Sequence, residues 1–277
     1  MEESTTKLSI KNFWAIVVNS TSTFVLAYLF VFYFNVLLKA MLAGVFSYPV
    51  TITHNTIYYL IENYEWTQDS VRLIYSAGPI LLLVFGIISL MIHTSLSDEE
   101  GRTKIFFVWF ALHAFNFVFS GLIIGNIFTH GVGHVFNWMY MHDTTKMIVA
   151  LVGFFGLLLS AIVVTKPITS TALSYFNRLD EKNAPFFIMS QIIVPFILGS
   201  GIIVLYFLPG AEFQEMYSWI VLGVLLLIIS GRINSMEPIQ FDMEDRKVGV
   251  SWVVFIFTIL LVLALRFGLE KPVSINW

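Results

Sequence analysis

Apolar residues run along this chain in long uninterrupted stretches, and polar residues collect in the short segments between them. Neither the two-residue alternation of a half-buried strand nor the one-sided stripe of a surface helix describes such a pattern. The stretches fall at about 13–38, 71–93, 105–128, 147–164, 185–207, 216–231 and 248–267. A helix needs about 20 apolar residues to cross a hydrocarbon layer of about 30 Å. The pattern therefore predicts an all-α, polytopic transmembrane helical bundle of seven spans, within a range of six to eight. Residues 1–277 form a single transmembrane domain in this reading. The run at 216–231 is short for a crossing. Residues 40–61, interrupted by Pro49, are expected to hold a re-entrant half-helix or an interfacial segment. Residues 129–146 make a histidine-bearing connection on the extracytoplasmic side.

Composition excludes the alternatives to a membrane protein. Hydrophobic residues make up 57% of the chain and charged residues 12%, about half the charge of a soluble domain. The lipid bilayer is thus the obligatory partner, and a protein partner or a second copy is compatible with it. A net charge of −3 leaves no nucleic-acid footprint. With no cysteine, the chain has neither disulfides nor thiolate ligands. The first run follows Lys7 and Lys11 but continues past Leu38 without a small-residue cleavage site, so it reads as an anchor and not a removed leader. For seven spans, ten Lys or Arg residues share the side of the amino terminus and five lie on the other. That bias predicts a cytoplasmic amino terminus in a cell or inner membrane. Trp14, Trp66, Trp109, Trp138, Trp219 and Trp252 lie near predicted span ends, the place of interfacial anchors.

Polar residues inside the runs are the candidates for function. The first span opens on Asn19-Ser20-Thr21-Ser22-Thr23, and Asn35 follows farther along it. Such groups either join helices or line a route, with Ser20 and Thr23 as route candidates. In the third run His113, Asn116 and Ser120 recur at helical spacing and make one polar stripe on an oily helix. A histidine at that depth needs a partner or a wet environment, which gives it three readings: an interhelical hydrogen bond, proton or solute conduction, or ligation of haem or another metal.

The seven-span topology carries His54, His130, His134 and His142 to one face. His130-Gly131-Val132-Gly133-His134 has the four-residue separation that lets two imidazoles share a cation on one helix face, although the glycines favour a loop. Zinc or iron would need further ligands from His54, His142 or Asp143. The expectation is that His54, His130, His134 and Asp143 converge to form a metal-accessible or solute-accessible mouth. Asp143 also stands where it can cap the next helix, and Lys146 lies within its reach.

Ser76-Ala77-Gly78-Pro79 followed by 80–88 resembles the small-Gly-Pro entry to a membrane helix in site-2 intramembrane metalloproteases. The resemblance covers about 40 residues. It implies that Thr53-His54-Asn55-Thr56-Ile57-Tyr58 occupies the place of the zinc-binding His-Glu-x-x-His helix. Asn55 stands there instead of the general-base glutamate and Tyr58 instead of the second histidine, so the resemblance implies a degenerate relative. No Gly-rich nucleotide loop and no nucleophile elbow is found. The leading functional expectation is transport or sensing of a small solute or proton. Its route passes Ser20, Thr23, His113, Asn116 and Ser120, with His130 and His134 at the mouth. A metal-dependent membrane enzyme and a noncatalytic assembly component are the alternatives, and enzyme status stays open.

Overall fold

The computed structural model describes residues 8–96, 101–210, 213–241 and 248–277, without the side chains of 101–102 and 213–215. Parts of the polar segments between the predicted runs, at 97–100, 211–212 and 242–247, lie outside the described residues. Among the described residues six helices are long and apolar enough to cross a membrane. They are α1 (Ile10–Val45), α2 (Gln68–Ser95), α3 (Gly101–Phe128), α5 (Asp143–Ser170), the continuous α6–α7 segment and α8 (Phe213–Asn234). In the fifth of these, α6 (Ala184–Phe187) passes through a π turn at Ile188–Ile193 into α7 (Val194–Phe207). A seventh apolar helix, α9 (Trp252–Gly268), has 17 residues, and the short α4 (Gly133–Trp138) lies between α3 and α5.

Two small sheets settle how these helices alternate. Pro49 does not break a re-entrant half-helix as expected of residues 40–61. Instead α1 runs on to Val45, and the chain then forms a hairpin, β1 (Val50–Ile52) with β2 (Ile57–Tyr59). The other edge of β1 pairs with the carboxyl-terminal strand β5 (Val273–Ile275), placing Val50 opposite Ile275 and Ile52 opposite Val273. Val50 and Ile52 are buried, so their apolar face seals the end of the bundle. Because β1 follows the first helix and β5 the last, an even number of crossings separates them. The five long helices after α1 leave an odd count, so α9 crosses as well, and 17 residues reach the lower limit of a span. At the opposite end β3 (Arg178–Leu179) pairs with β4 (Ile239–Gln240), two crossings apart.

Hydroxyls inside the helices mostly satisfy themselves. Ser22, Thr23, Ser160, Thr165 and Ser230 each donate to a backbone carbonyl one turn back, which removes a polar group from lipid without a second helix. Ser20 is different, because it joins three elements. Its Oγ donates to the Gln191 carbonyl of the π turn at 2.6 Å and accepts from Trp109 Nε1 on α3 at 2.9 Å. Trp109 is fully buried there, two turns into α3, and Trp219 is also buried in the bundle, so neither is the interfacial anchor expected of it. Around this junction α1 packs on α2, α3, α7 and α9.

Close backbone approach fixes the end of α3. A Cβ on Gly133 would sit 2.0 Å from the Gly125 carbonyl oxygen, so α4 folds back against α3 only with glycine at that position. Gly131 makes the preceding turn at φ +55, a conformation that favours glycine. Replacing Gly133 by alanine is expected to destabilise the protein by about 1–3 kcal/mol, the usual range for overpacking. A lowered unfolding midpoint in detergent checks this, with Gly201→Ala, where nothing lies within 4 Å, as the unaffected control. The topology is tested by single cysteines in this cysteine-free chain. Tyr58→Cys and Ser274→Cys should react with an impermeant maleimide from one side of sealed vesicles, and Lys182→Cys from the other. Labelling of all three from the same side contradicts the three crossings, α2, α3 and α5, between Tyr58 and Lys182.

Candidate functional site

One cavity of about 130 Å³ runs through the bundle between α1, α2, α3, α8 and the α3–α4 loop. Its walls follow helical periodicity. On α1 they comprise Tyr28, Val31, Phe32, Asn35 and Lys39, and on α3 His113, Asn116, Phe117, Ser120, Gly121, Ile124 and Gly125. Tyr75 and Pro79 of α2, Ser218 and Trp219 of α8, and the loop residues His130, Gly131 and Val132 complete the lining. Twelve residues separate His113 from Gly125, about 18 Å at 1.5 Å per residue, so the cavity leads from the middle of α3 to the end that carries the β1–β2 hairpin.

The expected stripe of His113, Asn116 and Ser120 thus lies on one wall, and His130 stands at the hairpin end. Ser20 and Thr23 are not part of it. The first holds the three-element junction and the second bonds to its own helix, so the helix rotation that buries them also turns them from the cavity. Asn35 and Lys39 represent α1 instead. Lys39 escapes a search limited to loops because the helix continues past it to Val45, and its Nζ lies 5.2 Å from the centre of the Tyr75 ring.

Four lining residues each carry a buried polar atom without a hydrogen-bond partner among the described residues: Asn35 Oδ1, His113 Nε2, Asn116 Oδ1 and Trp219 Nε1. The first two asparagine and histidine groups are held by their surroundings. Asn35 Oδ1 fills the space where a side chain on Gly78 would begin, 2.1 Å from an ideal Cβ. His113 engages the Phe24 backbone and stacks edge-on to the Phe24 ring at 4.4 Å. Asn116 donates through Nδ2 to the Ser218 carbonyl at 2.9 Å, which orients its free oxygen. Ser120 donates back to the Asn116 carbonyl at 2.5 Å. An unpaired buried polar group costs about 1–3 kcal/mol, and four of them around one cavity are a concentration that packing alone does not favour.

The four loop residues proposed to converge do not form one site. His134 lies on α4 against the Tyr75 ring, at 4.9 Å, with Lys39 and His130 as neighbours. His54 belongs to the hairpin turn and lies beside Tyr206 of α7, with Arg266 and Glu270 nearby. Tyr33 donates to the His54 carbonyl at 3.1 Å and also bonds the Tyr206 hydroxyl, which fastens the hairpin to α1 and α7. His142 and Asp143 are exposed at the start of α5. His142 occupies the cap position, Asp143 the first turn, and Lys146 donates to Asn137 Oδ1 at 2.7 Å. Among the described residues no three His, Asp or Glu side chains are grouped to hold a metal ion, so the expected zinc or iron mouth is replaced by two separate histidine environments. The stretch Thr53–Tyr58 is hairpin and not helix, and Gly78 serves contact with Asn35.

No protein-family model, no curated protein and no solved structure matches this chain.

Burial lowers the pKa of His134, and the nearby His130 and Lys39 lower it further. Below the ordinary value of 6.5 the unfolded chain takes up a proton at this residue that the folded protein resists. Stability is therefore lost as pH falls through that range. The unfolding midpoint should drop on acidification from pH 8 to 5, and His134→Gln should make the drop shallower. An unchanged slope would remove His134 from the acid response.

Proposed function

We propose that the protein takes a small polar solute into this intramembrane cavity and moves it across, or senses it at, the membrane. The observation that carries the reading is the gathering of Asn35 Oδ1, His113 Nε2, Asn116 Oδ1 and Trp219 Nε1, all without partners, around one cavity. These groups line a cavity and are left unpaired by the bundle's own side chains, so a polar solute that pairs with them gains what the bundle leaves unsatisfied. The excess of Lys and Arg on the amino-terminal side supports an extracytoplasmic hairpin end, and hence entry past His130 from outside. A metal-dependent enzyme finds no ligand group among the described residues to support it. The limited likeness to intramembrane metalloproteases rests on the Gly78-Pro79 helix segment alone.

Gly121 offers a direct test. It lines the cavity, and nothing lies within 4 Å of the position its Cβ would take, so a side chain there enters open space without striking the backbone. Gly121→Leu is expected to keep the unfolding midpoint and to lower solute uptake or binding by about tenfold or more, equivalent to about 1.4 kcal/mol. His113→Phe should act in the same direction. Uptake into proteoliposomes, a trapped pH dye for protons, and ligand-observed NMR for binding check both variants. If a stable Gly121→Leu protein retains every flux and binding signal of the parent, the cavity is not the site.

A further inference from the structure

We infer that the solute of this cavity is neutral, has no more than about six non-hydrogen atoms, and carries at least two N–H or O–H donors, as urea, small primary amides and short polyols do. The inference rests on the cavity reading above and adds the ligand class to it.

Size comes from volume. A dry cavity of about 150 Å³ holds one benzene molecule, six carbons in all. The present cavity, at about 130 Å³, has room for slightly less. A sugar or a nucleotide does not fit.

Charge follows from where the ionised group stands. Lys39 lines the cavity toward the hairpin end, beside His130. A cation entering there meets like charge. Deeper down the described lining is uncharged, consisting of asparagine, serine, tyrosine and tryptophan groups, the His113 ring and apolar walls such as Phe117 and Ile124. An anion drawn to the mouth would leave Lys39 behind on its way to His113. Even after relaxation, moving an ion into such surroundings without a counter-charge costs several kcal/mol. A neutral solute avoids both barriers.

The donor requirement follows from the unpaired atoms. Asn35 Oδ1 and Asn116 Oδ1 accept hydrogen bonds and cannot donate, whereas Trp219 Nε1 only donates. The unpaired set is richer in acceptors, so the complementary molecule presents two or more donors and one acceptor. An amide or urea has that arrangement, with N–H groups for the asparagine oxygens and a carbonyl for the indole.

The experiment uses the full chain in proteoliposomes subjected to osmotic shock, with light scattering to follow entry of five solutes of similar size. Urea, acetamide and glycerol are the neutral donors, and methanesulfonate and tetramethylammonium are the permanent ions. Saturation-transfer NMR on the same five reads binding without passage. The neutral three are expected to enter about tenfold faster than into protein-free vesicles, or to show binding, and Gly121→Leu should abolish the effect. Asn116→Leu should weaken it by about tenfold at unchanged unfolding midpoint, and if it unfolds, Asn116→Ala, which also removes the acceptor, replaces it with the same expected weakening. Entry or binding of either ion in preference to the neutral solutes, blocked by Gly121→Leu, overturns the assigned class and leaves the cavity reading standing. Neutral entry blocked by Gly121→Leu but untouched at Asn116 overturns the donor requirement. Absence of any protein-dependent signal for all five overturns both readings.

Discussion

Hydrocarbon offers no hydrogen bonds, and this single constraint divides the polar residues of the bundle into those that hold it together and those that open a site within it. Most buried hydroxyls return to their own helix, which makes them invisible to neighbouring helices. Ser20 spends its donor and its acceptor on two other elements and so ties α1 to α3 and to the π turn. A π turn breaks the regular hydrogen-bond ladder, and the Gln191 carbonyl that Ser20 receives is one consequence. The same logic places Trp109 at the centre, since an indole buried in lipid depth needs an acceptor for its N–H, and Ser20 supplies it.

Farther toward the hairpin end the pairing stops being complete. Above the Phe24 and Trp109 rings, which pack at 4.9 Å, the polar atoms of Asn35, His113, Asn116 and Trp219 have no partners. The junction and the cavity are therefore adjacent parts of one stripe on α1 and α3, closed where hydrogen bonds and aromatic rings meet and polar where they do not. Aromatic packing beneath His113 gives the cavity a floor, and the glycines Gly121 and Gly131 leave it width. The cavity is thus closed at the level of the Phe24 and Trp109 rings and leads toward the hairpin end.

Much of this was legible beforehand, for definable reasons. Run length alone sets the helices, because the hydrocarbon thickness is fixed and the apolar stretches match it. Helical spacing puts His113, Asn116 and Ser120 on one face whatever that face meets. Their partners were not legible, because rotation of α1 decides whether Ser20 and Thr23 or Asn35 and Lys39 share the cavity, and a nearly uniform oily helix carries little information on its own rotation. Trp109 and Trp219 follow the same rule, for an indole near a span end suits the interface and the interior equally until neighbouring helices are placed. The hairpin was hidden by distance. Val50–Ile52 is too short to announce a strand, and its second partner lies at the other end of the chain, in Val273–Ile275.

Strand pairing also explains why the histidines separate although they share a membrane face. The hairpin is anchored on one side through Tyr33 and Tyr206, so His54 is carried toward α7, near Arg266 of α9. Close contact of Gly133 with Gly125 draws α4 the other way, onto α3 and α2, and brings His134 to Tyr75. Topology fixes only the end of the bundle at which a loop residue lies. Local contacts then fix where around the bundle it sits, and on this face the β1 sheet and the glycine contact act on different helices. His130 remains beside the cavity because it precedes Gly131, the residue whose positive φ turns the chain across the mouth before α4 begins.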